Sequence, residues 1–198
     1  MMSKTHLAVG VGTALALTQP QTAKGCCLAI IGGILGGMMP DIDILDNEHM
    51  MDAIHGQIIV AGMTAAVLVM DHFARWGVCK ELFSRDPMLL IWGIIAWIVL
   101  YGIGIPQPHR GFTHSLLGLI AYTIPVALIL PSAVPCYVIG FASHLVMDLL
   151  NKRNIRLLFP LNWGFCFGVC YANKAANQIL LYAGLSFSLI FLFHRFFL

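Results

Sequence analysis

Charged residues are scarce in this chain. Asp, Glu, Lys and Arg make up only 10% of its 198 residues, whereas a soluble globular domain carries about 25%. Hydrophobic residues make up 59%, and the mean hydropathy is +0.85. These values exclude an ordinary soluble protein and predict an integral membrane protein. The net charge is only +2 and no basic run is interleaved with aromatic residues, so no nucleic-acid partner is expected.

The cysteines form neither a zinc-ribbon spacing nor the framework of a disulfide-rich secreted protein. We expect them to pack as small apolar side chains, with Cys166 and Cys170, spaced four apart, as a less favoured metal pair. The length leaves room for one compact bundle and no separate soluble domain, so residues 1–198 are predicted to form a single integral-membrane domain.

Long apolar runs predict an all-α, polytopic membrane bundle of about six or seven helices. The runs lie near residues 5–18, 25–39, 57–72, 88–105, 112–130, 134–151 and 178–197. The first could be a signal peptide, but we favour a retained helix because His6 stands at its head. The second contains two overlapping small-xxx-small patterns, Gly32-Gly33 and Gly36-Gly37, which let helix backbones approach closely. Residues 157–173 are too interrupted for a span and are expected at the interface or re-entering.

Ionisable residues are concentrated in or beside these apolar runs, in three short motifs. The motifs are Pro40-Asp41-Ile42-Asp43, His109-Arg110-Gly111-Phe112-Thr113-His114-Ser115 and His144-Leu145-Val146-Met147-Asp148. Burying such groups costs several kcal/mol unless they pair or bind a metal. The sequence therefore predicts an intramembrane metal site.

Helix counting supports a shared site. If His6 lies on one side of the membrane, alternate crossings return Asp41, His109, His114 and Asp148 to that same side. The cationic side chains divide six against five between the two sides, which does not fix the orientation. The basic run 152–156 after the sixth stretch favours a cytoplasmic location for the side that carries the site.

The residue types and spacings fit divalent metal ligation. His144 and Asp148 are one helical turn apart on one face, and His109 and His114 flank a turn that contains glycine. Asp41 follows a helix C-terminus, where a cation would offset the unfavourable helix dipole. Histidine and carboxylate ligands suit zinc, with manganese as the alternative. Seven candidate ligands exceed one tetrahedral shell and indicate more than one ion; they are His6, Asp41, Asp43, His109, His114, His144 and Asp148.

Other polar residues have plainer interpretations. His49 and His55 fall in a loop on the same side and are expected to be solvated, although either could contribute a ligand. His72 and His194 fall on the opposite side and are expected at the interface. Ser115 is expected to cap a helix or support the site.

The three motifs, in this order, resemble the bacterial membrane-bound metal-dependent hydrolase family of the YdjM type. His6 and Pro160 also fit its pattern, and the resemblance covers about residues 5–165. That family is distantly similar to the zinc phospholipase C and single-strand nuclease superfamily, and this similarity implies that the seven candidate residues are ligands. Many relatives are expected to carry an acidic residue near Asn177-Gln178, where this chain has none.

We therefore expect a multi-pass protein of the bacterial inner membrane that hydrolyses a phosphoester in a lipid or lipid-linked substrate through a metal-activated water. Arg110 would hold the phosphoryl group, and Asp148 would serve as both ligand and catalytic residue. A metal-ion transporter or a non-catalytic metal-binding membrane protein could use the same ligands.

Overall fold

The computed structural model describes residues 2–44, 50–169 and 175–197, and these residues are mostly helical apart from the non-helical segment 151–169. The only pairing of extended backbone among these residues is an isolated bridge between Ile155 and Phe165. The helices are α1 (Ser3–Thr18), α2 (Ala23–Met38), α3 (Met50–Ala74), α4 (Val78–Phe83), α5 (Pro87–Gly104), α6 (Leu116–Ile129), α7 (Val134–Leu150) and α8 (Ala175–Phe197).

Seven of these helices correspond to the seven apolar runs, which confirms the all-α prediction. The eighth, α4, has six residues and lies between two predicted spans. The Asp71 carboxylate fixes its start by accepting hydrogen bonds from the backbone N–H groups of Val78 (3.0 Å) and Cys79 (2.6 Å). Local capping therefore creates an element that hydropathy alone did not reveal.

The distribution of polarity is that of a membrane protein. Large apolar side chains cover the outside, including Phe73 and Trp92, while the most deeply buried residues include His6, His114 and His144. Helices long and apolar enough to cross a membrane occupy Ala23–Asp43, Ile54–Ala74, Pro87–Gly104, Pro131–Leu150 and Ala175–Phe197. The shorter α1 packs among α2, α7 and α8, where surrounding protein tolerates a short helix.

Glycines let α2 pack closely against two neighbours at once. A Cβ at Gly33 would lie 2.7 Å from Val11 Cα in α1, and a Cβ at Gly32 would lie 2.6 Å from Cys136 Cβ in α7. Gly36 is pressed against the backbone of Tyr137 and Phe141 in the same way. The close approach predicted from the glycine pattern is confirmed, and it brings the site-bearing ends of three helices together.

The end of the bundle that carries His6 is closed by short irregular segments. A 3-10 turn (Met39–Asp43) continues α2, and a second one (Phe112–His114) leads into α6. Ser115 caps α6 by accepting a hydrogen bond from the Gly118 N–H at 3.0 Å, as its position suggested. Residues 151–169 are non-helical and cross this end, with the Leu116 N–H donating to the Leu157 carbonyl at 3.0 Å.

Several individual predictions can be followed here. Cys26, Cys27 and Cys136 are buried free thiols as expected, but Cys166 is exposed because it lies in the non-helical segment rather than in a packed helix. His55, His72 and His194 are exposed as expected, but the loop predicted for His55 is wrong, because α3 begins at Met50 and includes it. His49 and Cys170 lie outside the described residues.

Candidate metal centre

All seven predicted ligands lie at one end of the bundle. Four chain segments contribute them: the first turn of α1, the turn after α2, the loop before α6, and the last turns of α7. Six are at most 5% exposed, and the side chain of His109 is 25% exposed. The predicted clustering is therefore observed.

The ligand atoms form three overlapping groups, each with all its atoms within 4.8 Å of one another. The groups are His6–His144–Asp148, Asp41–His114–His144 and Asp43–His109–His114. The first unites the pair one helical turn apart on α7 with a residue 138 positions earlier in the chain, a contact that requires the close packing of α1 and α7.

Two imidazole nitrogens face each other at the centre of the site. His144 donates its Nδ1–H to the Gly37 carbonyl (2.7 Å), which leaves its Nε2 with a lone pair. The Thr113 hydroxyl donates to Asp43 and can accept from His114 Nδ1 (3.1 Å), which leaves the Nε2 of His114 in the same state. The two Nε2 atoms are 3.3 Å apart. Two lone pairs at this distance require a proton or a cation between them.

Carboxylates complete this central group. The Nε2 of His114 lies 3.5 Å from Asp41 Oδ1 and 3.4 Å from Asp148 Oδ2. The Nε2 of His144 lies 3.5 Å from the same oxygen of Asp41. Asp41, Asp43 and Asp148 each place a carboxylate oxygen within 3.5 Å of a nitrogen of the His114 ring. The negative electrostatic field of these carboxylates favours a metal cation.

Asp43 has a full set of hydrogen-bond donors. His109 Nδ1–H donates to its Oδ1 at 2.7 Å, and the Arg110 N–H (3.1 Å) and Thr113 hydroxyl (2.5 Å) donate to its Oδ2. His114 Nδ1 is also 3.3 Å from Oδ2. These contacts orient His114, in the manner of a carboxylate behind a metal-bound histidine. Asp43 and His109 stay predicted ligands, but several of their polar atoms already have partners.

His6 is the most informative test of whether the site fits a metal. Its ring stacks on His144 with centroids 3.7 Å apart, and both of its nitrogens are buried without a hydrogen-bond partner among the described residues. Its Nε2 lies 3.8 Å from Asp148 Oδ1. Leaving buried polar atoms unpaired costs about 1–3 kcal/mol each. A cation bound between the Nε2 of His6 and Asp148 would remove this cost for that nitrogen, so the donor set fits a divalent metal.

Arg110 borders the centre. Its Nη2 lies 3.3 Å from Asp148 Oδ2, and its Nη1 donates to the Arg153 carbonyl at 2.7 Å. The backbone at Arg110 is left-handed, with φ of 67°. A non-glycine residue held in this region is a constraint that clusters at functional sites. The structure thus places Arg110 in contact with a predicted ligand, as the sequence suggested.

Some site-forming groups were not predicted. Thr113 lies between the two histidines of its motif, a position that could have revealed it, whereas the Gly37 carbonyl has no sequence signal. Asn177, where an acidic residue was expected in relatives, is buried and accepts a hydrogen bond from the Met2 N–H at 3.2 Å. Its backbone carbonyl also accepts from the Thr5 hydroxyl at 3.5 Å. Asn177 therefore ties α8 to the turn that carries His6.

Comparison with known protein families supports the assignment as a membrane protein. The profile of the YdjM inner membrane protein family matches residues 1–197. The chain belongs to the YdjM family. Together with the five apolar spans, this makes it a multi-pass protein of the bacterial inner membrane.

Individual relatives match over shorter regions. The inner membrane protein YdjM of Escherichia coli K12 is 35% identical over 78 residues, which cover 36% of this chain and 39% of that protein. The Shigella flexneri protein of the same name gives the same values. The uncharacterized protein YvsG of Bacillus subtilis is 30% identical over 91 residues, or 45% of this chain and 57% of that protein. The chain thus spans about two fifths of the YdjM proteins it matches. No solved structure matches the chain significantly.

Proposed function

We propose that this YdjM-family protein is a metal-dependent hydrolase that cleaves a phosphoester in a lipid or lipid-linked substrate. The observation that carries the proposal is the buried histidine–aspartate cluster, in which a bound cation would satisfy the facing imidazole nitrogens and a nitrogen of the unpaired His6 ring. A cluster of this composition suits zinc, with manganese as the alternative.

The residues of the cluster fall into metal ligands and groups that orient those ligands. His6, Asp41, His114, His144 and Asp148 would hold the metal. Asp43 and Thr113 would keep His114 oriented, and the Gly37 carbonyl would do the same for His144. The overlapping ligand groups support more than one ion. A bound divalent metal would supply Lewis acidity and activate water for hydrolysis.

Arg110 supports a phosphoester rather than a neutral substrate. Its guanidinium contacts Asp148 and is therefore adjacent to the proposed metal, and Arg binds phosphate oxygens in a bidentate manner. Its Nε is buried without a hydrogen-bond partner among the described residues, so a donor is available to a substrate oxygen. The distant similarity to the zinc phospholipase C superfamily belongs to the same proposal.

An apolar groove supports a lipid substrate. It has a volume of about 470 Å³, lies between α2, α3 and α5, and is lined by side chains that include Met38, Met39, Val60 and Trp97. Met39 is two residues before Asp41, so one end of the groove adjoins the proposed metal centre. A membrane-embedded groove of this composition suits one acyl or prenyl chain while the head group reaches the metal.

Substitution of Arg110 separates a hydrolase from its rivals. We expect Arg110→Ala to keep its zinc while hydrolysis of a panel of phosphoester lipids falls by about 10²–10³-fold, the effect of removing one transition-state donor. Metal content and hydrolysis are measured on the same preparation, with Arg195→Ala, an exposed arginine far from the site, as the control. Undiminished hydrolysis would contradict the role of Arg110. Metal flux in vesicles without hydrolysis would favour a transporter, and bound metal with neither activity would favour a structural site.

A further inference from the structure

A second cavity, polar rather than apolar, opens beside the metal centre. Its volume is about 470 Å³, and its lining includes His109, Arg110, Arg153 and Arg156. His109 is the least buried of the seven candidate ligands. The cavity therefore adjoins the only part of the ligand cluster that has appreciable exposure.

The lining of this cavity is strongly cationic. Three of its residues are arginines, and none of the described residues that line it is acidic. Arg110 directs one guanidinium nitrogen towards Asp148, but Arg153 and Arg156 form no ion pair with any described residue. Three arginines that line one cavity, only one of them paired with a described carboxylate, create a positive potential that attracts an anion.

Hydrogen bonds hold together the two backbone segments that carry the arginines. The Arg156 N–H donates to the Arg110 carbonyl at 3.0 Å, and the Arg110 side chain donates in return to the Arg153 carbonyl at 2.7 Å. Ile155, between them, is fully buried and pairs with Phe165 through hydrogen bonds of 3.0 and 2.9 Å. These hydrogen bonds fix the positions of the three arginines relative to one another.

A glycine makes this backbone arrangement possible. A Cβ at Gly164 would lie 2.9 Å from the Cβ of Asn154, and both residues line the cavity. The close approach of these two strands of chain shapes the cavity wall. Backbone contacts therefore shape the cavity, while the side chains of Arg153 and Arg156 are exposed to an incoming anion.

We propose that this cavity binds a phosphate group that carries at least two negative charges, such as a terminal phosphate or a diphosphate. The inference rests on the proposed function: it assigns Arg153 and Arg156 as specificity-determining residues that select a substrate with negative charge beyond the phosphoester at the metal centre. Guanidinium groups match phosphate oxygens in geometry as well as in charge. The phosphate can come from a lipid head group or from a free anion, since both present the same oxygens.

Binding of inorganic pyrophosphate and phosphate tests this assignment. The full chain in detergent is titrated in a calorimeter after treatment with a chelator, so that any affinity comes from the protein alone. The variant is Arg153→Gln/Arg156→Gln, and the matched control is Arg75→Gln/Arg195→Gln, which removes two exposed arginines far from the site. A second arm measures retention of phosphatidic acid against phosphatidylcholine in nanodiscs by native mass spectrometry.

We expect wild type and control to bind pyrophosphate at least tenfold more tightly than the Arg153/Arg156 variant, with an affinity that falls as ionic strength rises. Loss of phosphatidic acid retention alone in the variant would also support the site and identify a lipid head group as the source. Equal affinity of variant and wild type in both arms would overturn the proposal, as would equal losses in variant and control. Because metal is absent from the titration, failure of the hydrolase proposal leaves this result interpretable.

Discussion

His6 and His144 stack face to face in the interior of the bundle, with ring centroids 3.7 Å apart. His144 has a backbone carbonyl as a partner for one nitrogen, whereas His6 has no partner for either among the described residues. A purely structural stacking residue would be better served by a phenyl ring. We therefore expect that His6 uses a ring nitrogen as a metal ligand.

Replacing His6 by Phe tests this directly. His6→Phe keeps an aromatic ring against His144 but removes both nitrogens, so we expect the zinc content per protein to fall. In chelator-treated protein the melting temperature should be unchanged or higher, because two unpaired buried polar atoms are gone. His55→Phe, at an exposed histidine of α3, is the matched control. Unchanged zinc content in His6→Phe would show that His6 is not a ligand.

At this scale the sequence predicted that the seven candidate ligands converge, but not how each is oriented. Histidines and aspartates in apolar runs are costly to bury, and this cost, together with motif spacing and helix counting, singled out the seven residues that converge. Thr113 and the Gly37 carbonyl determine which nitrogens of His114 and His144 are hydrogen-bonded and which keep a free lone pair. Hydrogen bonds to a backbone carbonyl 107 residues away leave no trace in composition or spacing.

At the element scale, α2 is the scaffold of the site. It packs against α1 through Gly33 and against α7 through Gly32 and Gly36, so it fixes the distance between His6 and His144. The glycine pattern predicted close packing without identifying the partners. Identifying them required the three-dimensional arrangement, because any helix with a small-residue face could have filled either role.

A methyl group at Gly36 should separate α2 from α7. We expect Gly36→Ala to destabilise the protein by about 1–3 kcal/mol, because the added Cβ would overlap the Tyr137 backbone, which cannot move independently of α7. Gly62→Ala is the control, since no atom lies within 4 Å of a Cβ at that position. Thermal unfolding in detergent compares the two. Equal stability of Gly36→Ala and Gly62→Ala would refute the close packing of α2 and α7.

The groove between α2, α3 and α5 gives a second prediction at this scale. Ala65 lines the groove, whereas Ala66, the next residue of the same helix, does not. We expect Ala65→Phe to raise the KM for a long-chain phospholipid about tenfold or more while leaving kcat for a short-chain analogue unchanged, because only the chain-binding space is filled. Ala66→Phe should change neither constant. A similar KM for Ala65→Phe and Ala66→Phe would show that the lipid chain lies elsewhere.

At the scale of the whole molecule, the described part of the chain places the buried histidine–aspartate cluster at one end of the helix bundle. Alternating membrane crossings predicted this arrangement, because each candidate ligand lies at a helix terminus that returns to the same side. The opposite end is held by a conventional contact, the ion pair of Lys24 with Glu81 at 2.6 Å. What could not be predicted is the course of residues 151–169, which lack both apolar periodicity and a continuous run, yet supply the cationic wall of the site.

The metal content of the purified protein tests the central claim most directly. Elemental mass spectrometry of detergent-purified wild type, prepared without chelator, should give one or more equivalents of zinc or manganese. The His144→Ala/Asp148→Ala variant should lose the metal, and Asp148→Asn, which keeps the side-chain shape, should lose it while remaining folded by circular dichroism. A folded wild type without stoichiometric metal would contradict the account, and the buried histidines and aspartates would then constitute a polar packing network or a proton path.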